Sequence, residues 1–105
     1  MSPKNPLENK EIRFRILRTL HISHPYGVKE SLILLTVNDA GHRVTEQEIA
    51  SEVVYLREKG YIESDRKPSR TLRAEIWFHT ITPKGIDLLE GNLPPDPGIN
   101  EAENG

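Results

Sequence analysis

Residues 44–64, VTEQEIASEVVYLREKGYIES, constrain the fold more than any other segment of the chain. Thr45 and Glu48 have the spacing of a capping box, in which two side chains satisfy unpaired amides at the start of a helix. Gly60 supplies a residue that readily adopts the left-handed conformation at a helix end. The segment YIES follows at once and favours a strand. The pattern predicts a helix over about residues 46–59 that leads directly into a strand.

Two further helices are predicted before this segment. From Lys10 to about His24, apolar residues recur every four positions, which predicts a helix with one buried face that Pro25 ends. Residues 28–39 form a second apolar segment that favours a helix, with Gly41 available at its end. The residues expected on the buried face of the first helix are Ile12, Phe14, Ile16, Leu17 and Leu20, and in the second segment Leu32, Ile33 and Leu35 favour a helix over a strand.

The second half of the chain predicts a hairpin and one more helix. The alternating, aromatic segment of residues 74–81, AEIWFHTI, favours a strand. Residues 65–73, DRKPSRTLR, lie between the two strands and favour a turn with a basic tip. Thr82 and Pro83 are typical of a helix start, and Gly91 ends that short helix. The predicted class is α+β and mainly α, with a three-helix core, a two-stranded β-hairpin and a short C-terminal helix.

Charge and composition are distributed unevenly. The net charge is −2, but residues 87–105 hold five acids and no base, so residues 1–86 carry 14 bases against 11 acids. The proline-containing ends, residues 1–9 and residues 92–105, are expected to be flexible, and the second is expected to be a disordered acidic tail. The folded domain is therefore expected over residues 10–91.

The composition also excludes several classes of protein. The absence of cysteine excludes disulfides, thiolate nucleophiles and cysteine-type zinc sites. The longest apolar run, LILL, is much shorter than the roughly 20 residues of a membrane helix. The N-terminal residues lack the apolar core of a secretory signal. We therefore expect a cytoplasmic protein that has no membrane partner.

Two junctions carry a family resemblance: LREKGYIES after the third helix and ITPKGIDLLEG after the hairpin. With the order of elements, they resemble the winged helix-turn-helix domains of the MarR, PadR and ArsR groups of bacterial regulators. In these groups a Leu, a Gly and an Ile lie where the reading helix ends, and the motif Thr-x-x-Gly lies at the start of the helix that follows the wing. The resemblance covers about residues 10–91. It implies transcriptional regulation, double-stranded DNA as the partner and a homodimer.

The chain departs from the PadR and MarR patterns at its C-terminal end. It lacks the long last helix that often forms the dimer in those groups, so a dimer of this chain is expected to use the first helix. Its length and its acidic tail after a short last helix are similar to those of small prophage regulators.

Helical spacing predicts which residues of the third helix contact DNA. Ile49, Val53 and Leu56 share the buried side, whereas Gln47 and Ser51 face outward. Glutamine, serine and valine can all contact base edges in the major groove, whereas basic side chains contact phosphates. The predicted DNA-binding residues are Gln47, Ser51, Val54 and Tyr55 on the third helix, Lys29 and Arg43 beside the helix starts, and Arg66, Lys67, Arg70 and Arg73 on the hairpin.

The residues leave two alternatives to a DNA-binding regulator. The acids of the third helix, among them Glu58 on the outward face, favour a winged helix that binds a protein partner without direct DNA binding. A sensor of metals or small aromatic ligands is the weaker alternative, since His21 and His24 have no further ligands in an obvious pattern. The sequence shows no nucleophile paired with a base and no glycine-rich phosphate loop. We therefore predict no enzyme activity, no metal site and no cofactor.

Overall fold

The computed structural model of the chain describes residues 5–100, so the flexibility expected for residues 1–4 and 101–105 falls outside the described residues. Within residues 5–100, helices and one antiparallel sheet alternate in the predicted α+β, mainly α arrangement. The elements are α1 (Pro6–Ser23), β1 (Val28–Lys29), α2 (Glu30–Asp39), α3 (Glu46–Glu58), β2 (Ile62–Ser69), β3 (Ala74–Ile81) and α4 (Pro83–Leu89). The hairpin of β2 and β3 is the wing.

The core lies between α1, α2 and α3 and is closed by the sheet. Ile12, Ile16 and Leu20 of α1 are buried, which confirms the predicted stripe of that helix. In α2, however, Ile33 is buried together with Val37, whereas Leu32 is 50% exposed and Leu35 is 57% exposed. Leu32 and Leu35 therefore lie outside the core, although the helix that they favoured does form. Ile33 and Val37 lie one turn apart on one side of α2, so only that side packs inward.

Both ends of α3 form as predicted. The Glu48 amide donates to Thr45 Oγ1 at 3.1 Å, and the Thr45 amide donates to Glu48 Oε1 at 2.9 Å, which completes the capping box. At the other end Gly60 has φ +84°, and the Tyr61 amide donates to the Leu56 carbonyl at 3.0 Å. This bond satisfies a carbonyl that the helix leaves unpaired, so the chain turns directly into β2.

Asn38 fixes the turn between α2 and α3. Its Oδ1 accepts from the Val44 amide at 2.7 Å, and its Nδ2 donates to the Val44 carbonyl at 3.2 Å. Gly41 lies in the same turn with φ +102°, the left-handed conformation that the sequence predicted. The two bonds to one residue set the position of α3 relative to α2.

The sheet has three strands in the order β1-β3-β2, and both pairs are antiparallel. β1 was expected to be the start of the second helix, but Val28 pairs with His79 of β3 and is buried. The short strand forms because it buries Val28 and adds hydrogen bonds to the open edge of β3. Pro68, predicted in a turn, lies in β2 opposite Glu75. β2 is an edge strand, where a proline without an amide hydrogen is tolerated.

Regular structure and backbone contacts are also present on either side of residues 10–91. α1 begins at Pro6, where the Asn5 side chain accepts from the Glu8 amide at 2.8 Å. After α4 the chain returns to α1, since the Asn100 amide donates to the Lys10 carbonyl at 3.2 Å. The flexibility expected for residues 6–9 and 92–100 stays a prediction beside these contacts. The composition of the segment after α4 does not reveal that this segment contacts α1.

Candidate nucleic-acid interface

One side of α3 is open along its length. Gln47, Ser51, Val54 and Glu58 are exposed, and Val54 retains 39% of its accessible surface. The opposite side carries the buried residues Ile49, Val53 and Leu56, as predicted. We call Gln47, Ser51 and Val54 the outward strip. Its polar and small apolar side chains match the groups that base edges present in a major groove.

Tyr55 does not belong to the outward strip, although the sequence predicted that it faces outward. Its ring is half-buried beneath Arg13 of α1, whose guanidinium carbon lies 3.8 Å from the ring centroid. Gly98 of the returning tail lies against the Tyr55 hydroxyl. Arg13 also pairs with Glu52 at 2.6 Å and donates to the Gly98 carbonyl at 3.1 Å. Tyr55 therefore links α3 to α1 and to the segment around Gly98. Helical spacing along α3 alone could not predict these contacts.

The four basic residues predicted on the hairpin are all exposed, but they lie in different environments. Arg66 and Lys67 belong to β2, whereas Arg70 and Arg73 lie in the turn at the tip. Arg66 pairs with Glu75 at 3.3 Å between two exposed side chains. Lys67 lies 5.2 Å from the Phe78 ring centroid on the other side of the hairpin. The tip of the wing, Arg70 and Arg73, is therefore the more accessible basic group.

Lys29 and Arg43 are also exposed, as their predicted role requires. Lys29 lies on β1 opposite Phe78 and immediately before α2. Arg43 lies in the turn between α2 and α3, two residues before the N-cap Thr45. The structure therefore places one basic residue shortly before each helix of the helix-turn-helix pair.

A groove of about 380 Å³ separates the starts of α2 and α3 from the wing. Three of its lining residues are acidic and one is basic, so its charge disfavours phosphate. Its lining residues are Lys29, Glu30, Ser31, Leu34, Glu46, Ile49, Leu72, Glu75, Ile76 and Trp77.

Arg57 and Trp77 border the site and were missing from the predicted contacts. Arg57 follows Val54 by three positions on α3 and is exposed, which places it at the margin of the outward strip. Its guanidinium carbon lies 5.7 Å from the centroid of the Trp77 ring. The helical spacing of Arg57 was a usable signal, whereas its contact with Trp77 depends on how the wing packs against α3.

His79 lies at the centre of a buried hydrogen-bond network. Its ring is fully buried, with Nε2 2.8 Å from Glu30 Oε1 and Nδ1 2.8 Å from Ser64 Oγ. Burial lowers the pKa of His79 below 6.5, and the charge of Arg57 acts in the same direction against the opposing effect of Glu30. The network joins α2, β2 and β3. A serine, a histidine and a glutamate are present, but the enclosed ring leaves no room for a substrate at the histidine.

Other kinds of site find no support in the part of the chain that the structure describes. In residues 5–100, no three His, Cys, Asp or Glu side chains come together in a group that could hold a metal ion. His21 of the suggested histidine pair instead lies 3.8 Å from Glu90. No described helix is long and apolar enough to cross a membrane.

Exposed apolar side chains also form a patch at the end of α1 and the outer side of α2. Ile22, Tyr26 and Leu32 line one shallow depression, and Leu32 and Leu35 line the next. The homodimer and the protein partner expected from the sequence remain predictions.

The paired α2 and α3 with a hairpin beside them define a winged helix-turn-helix fold. The chain is similar in structure to a crystallised protein from Thermoplasma acidophilum that is provisionally described as a transcriptional regulator. The TM-score is 0.72 over 85% of this chain and 81% of that chain, at 14% sequence identity. At this identity the likeness establishes the fold. No family model matches the sequence, and no curated protein matches it.

Proposed function

We propose that this protein is a DNA-binding transcriptional regulator that binds duplex DNA through α3 and the wing. The observation that carries the proposal is the open outward strip of α3 beside an exposed basic wing tip. In helix-turn-helix domains the second helix of the pair enters the major groove and the flanking segments contact the backbone. The structural likeness to a protein provisionally described as a transcriptional regulator supports the same reading.

The outward strip would read bases. The Gln47 amide can pair with adenine through two hydrogen bonds, and the Ser51 hydroxyl can donate or accept. Val54, three positions further on, is suited to a thymine methyl group. Gln47 lies in the first turn of α3, the part of a reading helix that approaches the base edges most closely.

The basic residues would hold the backbone. Lys67, Arg70 and Arg73 lie on the wing, and Lys29 and Arg43 flank the helix-turn-helix pair. Their exposed charges attract phosphates of any sequence and make the affinity depend on salt. Arg66 lies outside the tip, in β2, where it pairs with the exposed Glu75.

Titration of a fluorescently labelled duplex tests this proposal. Anisotropy measured over a series of salt concentrations gives both the affinity and its salt slope for the wild-type chain. A double variant, Arg70→Gln with Arg73→Gln, should bind more weakly, and its salt slope should fall by about two, one for each lost phosphate contact. Selection of bound sequences from a pool of random duplexes would identify the bases that the protein recognises.

The matched control also removes two positive charges, but at positions outside the wing. Arg18→Gln with Lys84→Gln neutralises two exposed bases on α1 and α4. This control should keep the wild-type salt slope. Wild-type protein that binds no duplex in a salt-dependent manner would overturn the proposal. Equal losses in the two double variants would show that the wing tip is not the contact.

A further inference from the structure

Trp77 holds two guanidinium groups at the junction of α3 and the wing. Arg66 is its cross-strand partner, with Cζ 5.2 Å from the ring centroid, and Arg57 comes from the last turn of α3, with Cζ at 5.7 Å. The two groups cannot lie further apart than the sum of these distances. Trp77 is 36% exposed, and its ring stacks on the buried His79 ring, with centroids 6.2 Å apart. We call Arg57, Arg66 and Trp77 the arginine pair site.

The environment of this site keeps both cations accessible. Cation–π attraction restrains each side chain without neutralising its charge. Arg66 pairs with Glu75, but both side chains are more than half exposed, and such a pair is readily exchanged. Arg57 forms no ion pair with any residue from 5 to 100. The fixed Trp77 ring therefore presents two positive groups whose positions are set before any ligand arrives.

The site borders the acidic groove, because Trp77 lines both, but neither Arg57 nor Arg66 lines the groove. That groove includes Glu46 and Ile49, at the beginning of α3, whereas Arg57 lies at the end of the same helix. A DNA strand that crosses from the outward strip to the wing would be repelled by carboxylates near the beginning of α3 and attracted by guanidinium groups near the end of α3. A guanidinium group can bind phosphate through two parallel hydrogen bonds.

We propose that Arg57 and Arg66, positioned by Trp77, bind one phosphate or two adjacent phosphates of duplex DNA between α3 and the wing. This inference rests on the proposed function. It assigns the crossing point of the backbone and adds Arg57 as a contact and Trp77 as a positioning residue. The Trp77 ring itself makes no hydrogen bond to the DNA in this arrangement.

The chain contains one tryptophan, so its fluorescence reports on this site alone. Adding duplex should change the Trp77 emission in parallel with the anisotropy of a labelled duplex, and added salt should reverse both. Arg57→Gln should lower the affinity about tenfold and reduce the salt slope by about one. Arg18→Gln, an exposed arginine on α1, is the matched control and should keep the affinity within about twofold.

Substitution of Trp77 separates positioning from charge. Trp77→Leu removes the cation–π contacts but leaves every basic side chain of the protein in place. The affinity for duplex should therefore fall although the net charge is unchanged. Trp77→Phe keeps a ring and should give an intermediate affinity, which guards against a general loss of packing in the leucine variant. Thermal unfolding of both variants checks that the domain remains folded.

The outcomes distinguish the two proposals. If wild-type protein shows no anisotropy change with any duplex, the proposed function fails and this inference fails with it. If wild-type protein binds, but Arg57→Gln behaves like Arg18→Gln and the Trp77 emission does not change, the arginine pair site is wrong while the proposed function stands.

Discussion

The Tyr61 hydroxyl donates a 2.6 Å hydrogen bond to the Asp96 carboxylate, which joins the start of β2 to the chain after α4. Burial, together with the bond and the charge of Asp96, raises the pKa of Tyr61 to about 12. Burial alone would raise the pKa of Asp96. The bonds from the Tyr61 hydroxyl and the Gly98 amide, with the ammonium of Lys59, hold that pKa below its usual value instead. The returning tail is therefore attached through a buried charge.

Removing this charge should weaken the fold. Asp96→Asn is expected to lower the free energy of unfolding by about 1–3 kcal/mol at pH 7, because Tyr61 and Lys59 lose a charged partner. Since the folded-state pKa of Asp96 is lowered, its contribution exists above the unfolded value of about 3.9 and disappears as the pH falls through the folded value. Urea unfolding from pH 7 downward should show a smaller loss with acid for the variant. Glu63→Gln, which removes an exposed acid on β2, should behave like wild type.

His79 should make stability depend on pH near neutrality. Its pKa is lower in the fold, so below about pH 6.5 the unfolded chain takes up a proton that the folded chain refuses. The free energy of unfolding should therefore be highest above pH 6.5 and fall as the pH decreases toward the folded value. His79→Gln should reduce stability at pH 7.5 by about 1–3 kcal/mol and flatten this dependence. The exposed His24 provides the control, since a slope that His24→Gln removes equally well would not come from the buried network.

Glu58 should oppose DNA binding if the end of α3 approaches the backbone. Its side chain is exposed next to Arg57 and beyond the outward strip. Glu58→Gln should then tighten duplex binding about fivefold, the effect of removing one repulsive charge of about 1 kcal/mol in water. Anisotropy at fixed salt measures the change, and Glu90→Gln, which removes an exposed acid at the C-cap of α4, serves as the comparison. An unchanged affinity would mean that this end of α3 stays away from phosphate.

Gly85 should not tolerate alanine, although alanine favours a helix by about 1 kcal/mol over glycine. A Cβ at this position would lie 2.7 Å from Ile81 Cγ1 and would collide with the Tyr61 carbonyl oxygen. Because the obstruction includes backbone, we expect Gly85→Ala to lower the unfolding free energy by about 1–3 kcal/mol. Urea unfolding measures this, and a stabilised variant would contradict the close packing of α4 on β3.

The helix limits and buried faces were largely predictable from the sequence. Thr45, Gly60 and Thr82 act through bonds to neighbours a few positions away, and all three occupy their predicted capping positions. The buried positions Ile49 and Leu56 follow from helical spacing alone. The exposure of Gln47, Ser51 and Val54 follows from the same spacing, so the predicted outward strip lies where the sequence placed it.

Only the tertiary structure decided which surfaces distant segments cover. Tyr55 is occupied because Arg13 and the tail reach it, and Val28 becomes a strand because β3 offers an open edge. The contact of Arg57 with Trp77 likewise depends on how the wing packs on α3. Caps and spacing are set by bonds between near neighbours, so a sequence displays them directly. Contacts between segments tens of residues apart depend on the packing of the whole core, which no local pattern encodes.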